Sequence, residues 1–403
     1  MKRWKKIALV LFCLLLLSQA PFAYRRFRLR RLSAAIAEVN AGRAPAPPGD
    51  PFDDYAGVFH VHSSLGGHST GTLEEIVRAA KADRLAFVLM TEHPAALFKT
   101  SEATLSGTHE GVLFVPGSEL AASDGGRLFA APGFELPDAG LPLRGLVERA
   151  KGEGRLAVVG YPEQVRDLKP GGYDALEVYN LYTNAKKINY ALLFFDGLWS
   201  YFPYADLLFT DFYERPDANL KRWDEVNAAG GRVFALAGND AHANVGLSLQ
   251  EQTGRKILDL KLDPYERSFR VVRNHALLEK GEQLDADTLL SALRRGHSYF
   301  AFDLFGDSTG FRFAAESGTE RRFMGDEIRL PAPGAVRLSV RAPVRCRLLF
   351  FRDGQALQEV KDSAEASLTV ERAGVYRVEA YLDQLGGLLE GKPWIISNPI
   401  FVR

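Results

Sequence analysis

From about residue 54 to residue 303, short apolar runs alternate with stretches in which apolar residues recur at helical spacing. Leu85 to Met90 is nearly continuous in apolar residues, the pattern of a strand buried on both faces. Val112 to Val115, Leu156 to Val159, Ala175 to Tyr179 and Val233 to Ala237 repeat it. Between these runs, Thr72-Leu-Glu-Glu75 forms a capping box, and Leu73, Ile76, Val77 and Ala80 follow at the period of a helix. Leu143 to Gly152, Leu220 to Ala229 and Asp287 to Arg295 read as further helices. Repeated strand–helix units predict an α/β domain with a parallel sheet closed as a barrel over 54–304. After Phe302 the period changes to two. Val336, Leu338 and Val340 alternate with polar residues, and Val375 to Tyr381 does the same. Leu348 to Phe351 runs into Asp353-Gly354, a hairpin signal, so a small all-β sandwich is expected over 305–403.

The N-terminus has its own pattern. Lys2, Arg3, Lys5 and Lys6 precede the uninterrupted apolar run Ile7 to Leu17. Continued to Tyr24, this makes about eighteen mostly apolar residues, just enough to span a bilayer. Arg25, Arg26, Arg28, Arg30 and Arg31 follow at once. Ser18-Gln19-Ala20 offers a small-x-small cleavage site, but Pro21 directly after it is unfavourable. The expectation is an uncleaved anchor over 1–30 with the body outside the cytoplasm, in the periplasm. A secreted or periplasmic body after signal cleavage is the alternative. Leu32, Ile36 and Val39 suit a short helical piece, and Ala44 to Pro51 is a Pro/Ala/Gly run, so 31–53 is expected to be a stiff linker.

Composition narrows the chemistry. The 403 residues carry 50 basic and 50 acidic side chains, and the pI is about 7.1, which gives no footprint for nucleic acid. Cys13 lies in the apolar run and leaves Cys346 alone in the body. A disulfide framework and a thiolate zinc site are both excluded, so any metal must be held by His, Asp and Glu.

Those residue types gather at the ends of the apolar runs. His60 and His62 end the first run, and His68 lies beyond two glycines. Side chains two apart on a strand share a face, so both imidazoles are expected to reach one ion. Glu92 and His93 follow Met90, Glu119 follows Val115, Glu177 sits within its run, and Asp240 and His242 follow Leu236. Successive strand C-termini converge on one face of a β/α barrel, which makes a metal centre the economical reading.

His60-x-His62 with His68, Thr91-Glu-His93, Gly117-Ser-Glu119, Ala175-Leu-Glu-Val-Tyr-Asn180 and Gly238-Asn-Asp240-Ala-His242 together resemble the polymerase-and-histidinol-phosphatase (PHP) family over roughly residues 57 to 300. The resemblance implies a distorted (β/α)7 TIM-like barrel holding up to three divalent ions, with phosphoester hydrolysis as the commonest activity. Carried over by position, it implies one site from His60, His62, Glu119 and Asp240, and a second from His68, His93 and His242. Two of the family's histidines are missing: Arg127 lies where one is expected, and Tyr161 stands before Pro162 in place of the other. One or two ions (Zn²⁺, Mn²⁺ or Fe²⁺) are therefore expected rather than three. Arg127 either supplies fixed charge to a phosphate or lies on a solvated loop. Asp240 or Glu92 is expected to take part in proton transfer, with a purely orienting Glu92 as the alternative, and Glu119 is counted with them among the catalytic residues.

The substrate expected is a phosphorylated or otherwise hydrolysable small molecule, lipid or glycan. Competing readings are an amidohydrolase-like C–N or C–O hydrolase and a barrel that binds metal without turnover. An aromatic-rich insert, 179–216, would roof the site, line a pocket, dip into the membrane or pack as core. The ending Pro393 to Phe401 resembles the tail of PHP-type proteins carrying an immunoglobulin-like module. His109, His275 and His297 match no motif and are expected at the surface or in structural roles.

Overall fold

The structure is a computed structural model that describes residues 3–47, 49–134, 140–186, 189–250 and 256–403. Lys2 and Pro48 lie outside the described residues.

The first element runs through the expected anchor and on into the expected linker. Helix α1 (Arg3–Ala41) runs without a break for 39 residues. Its apolar half is exposed, whereas Leu29, Leu32 and Val39 are buried against the body. The Pro/Ala/Gly run beyond it is no free spacer. The Ala44 amide donates to the Pro343 carbonyl at 2.8 Å, Arg341 donates to the Pro45 carbonyl at 2.7 Å, and Arg43 pairs with Asp307. The reason is sequence periodicity: Leu29, Leu32, Ile36 and Val39 continue one helical stripe past the arginines.

The α/β body begins with strand β1 (Phe52–Val61), helix α2 (Leu73–Ala82), β2 (Phe87–Met90), β3 (Val112–Val115), β4 (Ser118–Ala121) and β5 (Arg127–Ala131). Helix α3 (Leu143–Gly152), β6 (Leu156–Gly160), β7 (Ala175–Asn180), helices α4 (Tyr190–Tyr204) and α5 (Asp217–Ala228) and β8 (Phe234–Ala241) follow. The capping box at α2 forms as the sequence predicts. Strands β1–β2, β2–β3, β6–β7, β7–β8 and β1–β8 pair in parallel, whereas β4–β5 and β5–β6 are antiparallel. Gly117 bends β3 into β4; a Cβ there would sit 2.2 Å from the Met90 carbonyl oxygen.

A correction concerns the expected closed parallel barrel. The N-terminal half of β1 leaves β8 and pairs with β9 (Arg273–Glu279), which follows helix α6 (Tyr265–Val271). Helix α7 (Ala286–Arg295) leads to β10 (Ser298–Ala301), which pairs with both β9 and a strand near the C-terminus. The outcome is one branched mixed sheet rather than the closed parallel barrel expected. In the C-terminal part, β11 (Arg312–Ser317), β12 (Val336–Arg352), β13 (Gln355–Val370), β14 (Gly374–Tyr381), β15 (Ile395–Ser397) and β16 (Ile400–Val402) extend it. The turn between β12 and β13 is Asp353-Gly354, both with positive φ, as a two-residue hairpin demands.

Candidate metal centre

The site is built where β1, β2, β4, β6, β7 and β8 end. The pleat of β1 does not continue through His60, whose φ is 68°, and the register slips between Phe59 and Val61. Tyr161 (φ 48°) after β6 and Asp240 (φ 50°) on β8 are left-handed as well. Such conformations are costly for residues other than glycine, and strain of this kind gathers at functional sites. Here it turns three polar side chains toward one another.

His60 Nε2 lies 3.1 Å from Glu119 Oε2 and 3.3 Å from Asp240 Oδ1. His62 Nε2 approaches the same two oxygens at 3.2 and 3.7 Å. All four side chains are buried. His93 and His242 stack on either side of His62, with ring centroids 4.7 and 4.4 Å away. Among the described residues two potential ligand sets result: His60, His62 and Glu119, and His62, His93 and His242, each with its atoms within 4.8 Å of one another. This changes the expected partition, because His62 joins both sets. His68 belongs to neither and sits at the rim, its ring 4.6 Å from that of His93.

Neither ring nitrogen of buried His62 makes a well-aligned hydrogen bond within the described residues, although Nε2 lies 3.2 Å from Glu119 Oε2. Burial lowers the pKa of His62 and pushes that of His93 down to about 4, so both imidazoles are neutral and keep a lone pair. Burial opposes charge on His60 too, but Asp240 and Glu177 outweigh it and raise its pKa well above the imidazole range. Glu119 resists burial through His60 and His62, which hold its carboxyl far below the usual range.

Outer partners hold these groups in place. Glu177 Oε1 faces His60 Nδ1 at 2.5 Å, a carboxylate–imidazole pair. Asn180 Nδ2 donates to Glu177 Oε1 at 3.2 Å and Asp240 Oδ2 at 3.3 Å. The two positions that lack the family's histidines carry donors to carboxylates. Tyr161 donates to Asp240 Oδ2 at 2.9 Å, and Arg127 Nε donates to Glu119 Oε1 at 3.1 Å. Glu92 is fully buried and belongs to neither ligand set. Its carboxylate accepts from the Ser63 hydroxyl at 2.6 Å, from the Ser63 amide and from Thr104 at 2.9 Å. It fixes the loop after β1.

An open pocket of about 720 Å³ leads to this cluster, with His68, His93, Arg127, Tyr161, Tyr182 and His242 on its walls. The sequence pattern marks Glu177 without assigning it a role, and it does not identify Asn180 and Gly238 as its partners. The available signal was a carboxylate inside an otherwise apolar run. Gly238 lies so close that a Cβ would come 1.8 Å from Glu177 Oε1.

No family model matches the sequence, and no curated protein matches it. Among solved structures, a chain from Bifidobacterium adolescentis assigned as a metal-dependent phosphoesterase is similar at 13% identity with a TM-score of 0.29. The match covers 56% of this chain and 96% of that one.

Proposed function

We propose that the protein is a metal-dependent phosphoesterase working at the strand ends of β1 to β8, a region we read as the distorted β/α barrel of the PHP resemblance. The observation that carries this reading is His62. It is buried, neither ring nitrogen is satisfied by a well-aligned hydrogen bond, its Nε2 lies 3.2 Å from Glu119 Oε2, and it belongs to both ligand sets. A buried polar group left unpaired costs about 1–3 kcal/mol, and a cation shared by the flanking sets removes that cost. The donors are imidazole nitrogens and carboxylate oxygens, which suit one or two Zn²⁺, Mn²⁺ or Fe²⁺ ions.

A divalent ion at this place supplies Lewis acidity toward a phosphoryl oxygen and acidifies water. The chain's own groups do the rest. Glu177 holds His60 in orientation, and Tyr161 and Asn180 hold Asp240, whose Oδ1 faces the cluster. Asp240 is the proton acceptor. Arg127 spends Nε on Glu119 and lines the pocket, where its positive charge meets the phosphoryl group. Glu92 is a positioning residue through Ser63 and Thr104. The apolar half of α1 anchors the body, on the extracytoplasmic side, to a membrane. The substrate is a phosphorylated small molecule, lipid or glycan.

Elemental analysis of the purified full chain and a panel of phosphomonoesters and phosphodiesters test this. Bound transition metal and hydrolysis are expected together, and His62→Ala should abolish both. Stoichiometric metal without turnover on any ester would leave a binding protein and sink the esterase reading.

A further inference from the structure

Helix α4 is unusual for a surface element. Its sequence carries one charged residue, Asp196, and that side chain is buried and turned to Arg25 at 3.2 Å. The outer face is apolar: Leu192, Phe194, Leu198 and Phe202 are 54%, 62%, 65% and 94% exposed. No exposed charge among the described side chains of α4 favours water over an apolar medium. A contiguous patch of this kind marks a surface that something covers.

The position of α4 along α1 says what covers it. Phe195 packs on Phe22 with ring centroids 5.3 Å apart, Trp199 Nε1 donates to Gln19 at 3.1 Å, and Arg26 donates to the Trp199 carbonyl. All of these partners fall at the end of the apolar span of α1. There, exposed Leu17, Tyr24 and Phe27 continue the same apolar surface, and Arg30 and Arg31 follow on the exposed side. Aromatic rings followed by arginines are the arrangement of a bilayer edge, with rings at the acyl boundary and cations among anionic headgroups.

We propose that the outer face of α4 is a bilayer-contacting surface, embedded in the leaflet that receives the end of the α1 span. The body is then held by two apolar elements rather than a single tether, which fixes its orientation on the membrane. Tyr182, at the pocket rim, lies just before α4 in the chain, and the Lys186 ammonium sits 4.6 Å over its ring. The inference rests on α1 being a membrane span and is independent of what the metal centre hydrolyses.

The experiment uses the full chain with Cys13→Ser, reconstituted in vesicles of phosphatidylcholine and phosphatidylglycerol. Cys346 stays unlabelled because it is buried, its thiol pushed up to about 12 by that burial. An environment-sensitive fluorophore is placed through Phe202→Cys, and in a control through Leu357→Cys, where the native side chain is 44% exposed on β13. Brominated acyl chains should quench the probe at 202 at least about threefold more than the control, and aqueous iodide should do the reverse. Equal quenching at both sites overturns the proposal. Protection at 202 that disappears when vesicles hold a single chain also overturns it, in favour of a second copy as the occupant. Neither outcome bears on hydrolysis, which is measured on the same preparations.

Discussion

His60 is gripped from both ring nitrogens, by Glu177 on one side and by Glu119 with Asp240 on the other. A carboxylate on the far nitrogen of a metal-ligating imidazole fixes its tautomer and raises its basicity, so Glu177→Gln should weaken metal affinity by ~10–100-fold. Competition with a chromophoric chelator reads this directly, and unchanged affinity would remove Glu177 from the centre. Gly238→Ala should act by the same route, since its Cβ would collide with Glu177 Oε1 at 1.8 Å. A loss of at least about tenfold in affinity is expected, with the strand ladder intact by circular dichroism. Arg127→Ala separates binding from chemistry. With metal content unchanged, KM for a phosphoester should rise by at least about tenfold, and identical kinetics would leave Arg127 as a brace for Glu119 alone. The histidines and acids of the centre were legible because each marks the end of an apolar run. Their grouping was not. Which set His62 joins depends on the left-handed turn at His60, and no spacing rule encodes that turn.

At the scale of elements, what the sequence showed was the local part. Leu85 to Met90, the Thr72 capping box and the Asp353-Gly354 hairpin each rest on neighbours in the chain, and each forms. Strand β5 was not anticipated as the antiparallel member of the sheet, because its reversal is made by Gly125 and Gly126, both at positive φ, in a short loop that lacks a strong pattern. Helix α1 extends beyond its expected end for a different reason. A run of arginines after an apolar span looks like the end of a membrane segment, and the stripe Leu29, Leu32 and Val39 that docks on the body was assigned to a separate piece. Helix α7 offers a clean test of how local terms add to stability. Asp285 accepts from the Thr288 amide at 2.9 Å, and the Thr288 hydroxyl completes a capping box. Asp285→Ala should cost about 1 kcal/mol in urea unfolding and leave metal affinity untouched, because α7 lies outside the centre. A loss of metal together with stability would show that α7 and the site are coupled.

At the scale of the whole molecule, the branch in the sheet is held by a buried ionic network. His275 on β9 bridges Asp54 on β1 at 2.8 Å and Asp303 beyond β10 at 3.0 Å. Tyr299 and Arg312 donate to the other oxygen of Asp54, at 3.0 and 2.8 Å, and the Ser308 hydroxyl donates to Asp303 at 2.7 Å. Burial opposes a charged imidazole, but Asp303 and Asp54 outweigh it and push the His275 pKa up to about 10. The same pairing lowers Asp54 and Asp303 below the usual carboxylate range, although burial alone would raise them. The sign follows from which state holds the proton. Above the imidazole's ordinary value near 6.5, the unfolded chain releases the proton while the folded chain retains it until about 10. This contribution is therefore complete below about pH 6.5 and fades as pH rises toward about 10. On the acid side, the carboxylates' contribution is present above their ordinary range and is lost as pH falls through their lowered values. Urea unfolding of the full chain between pH 6.5 and 10 should show a decline on the order of several kcal/mol. His275→Gln should be less stable throughout, since it leaves two buried carboxylates without their cation, and its alkaline decline should be much shallower. Parallel pH profiles for the two proteins would show that the branch is held by packing and not by this charge.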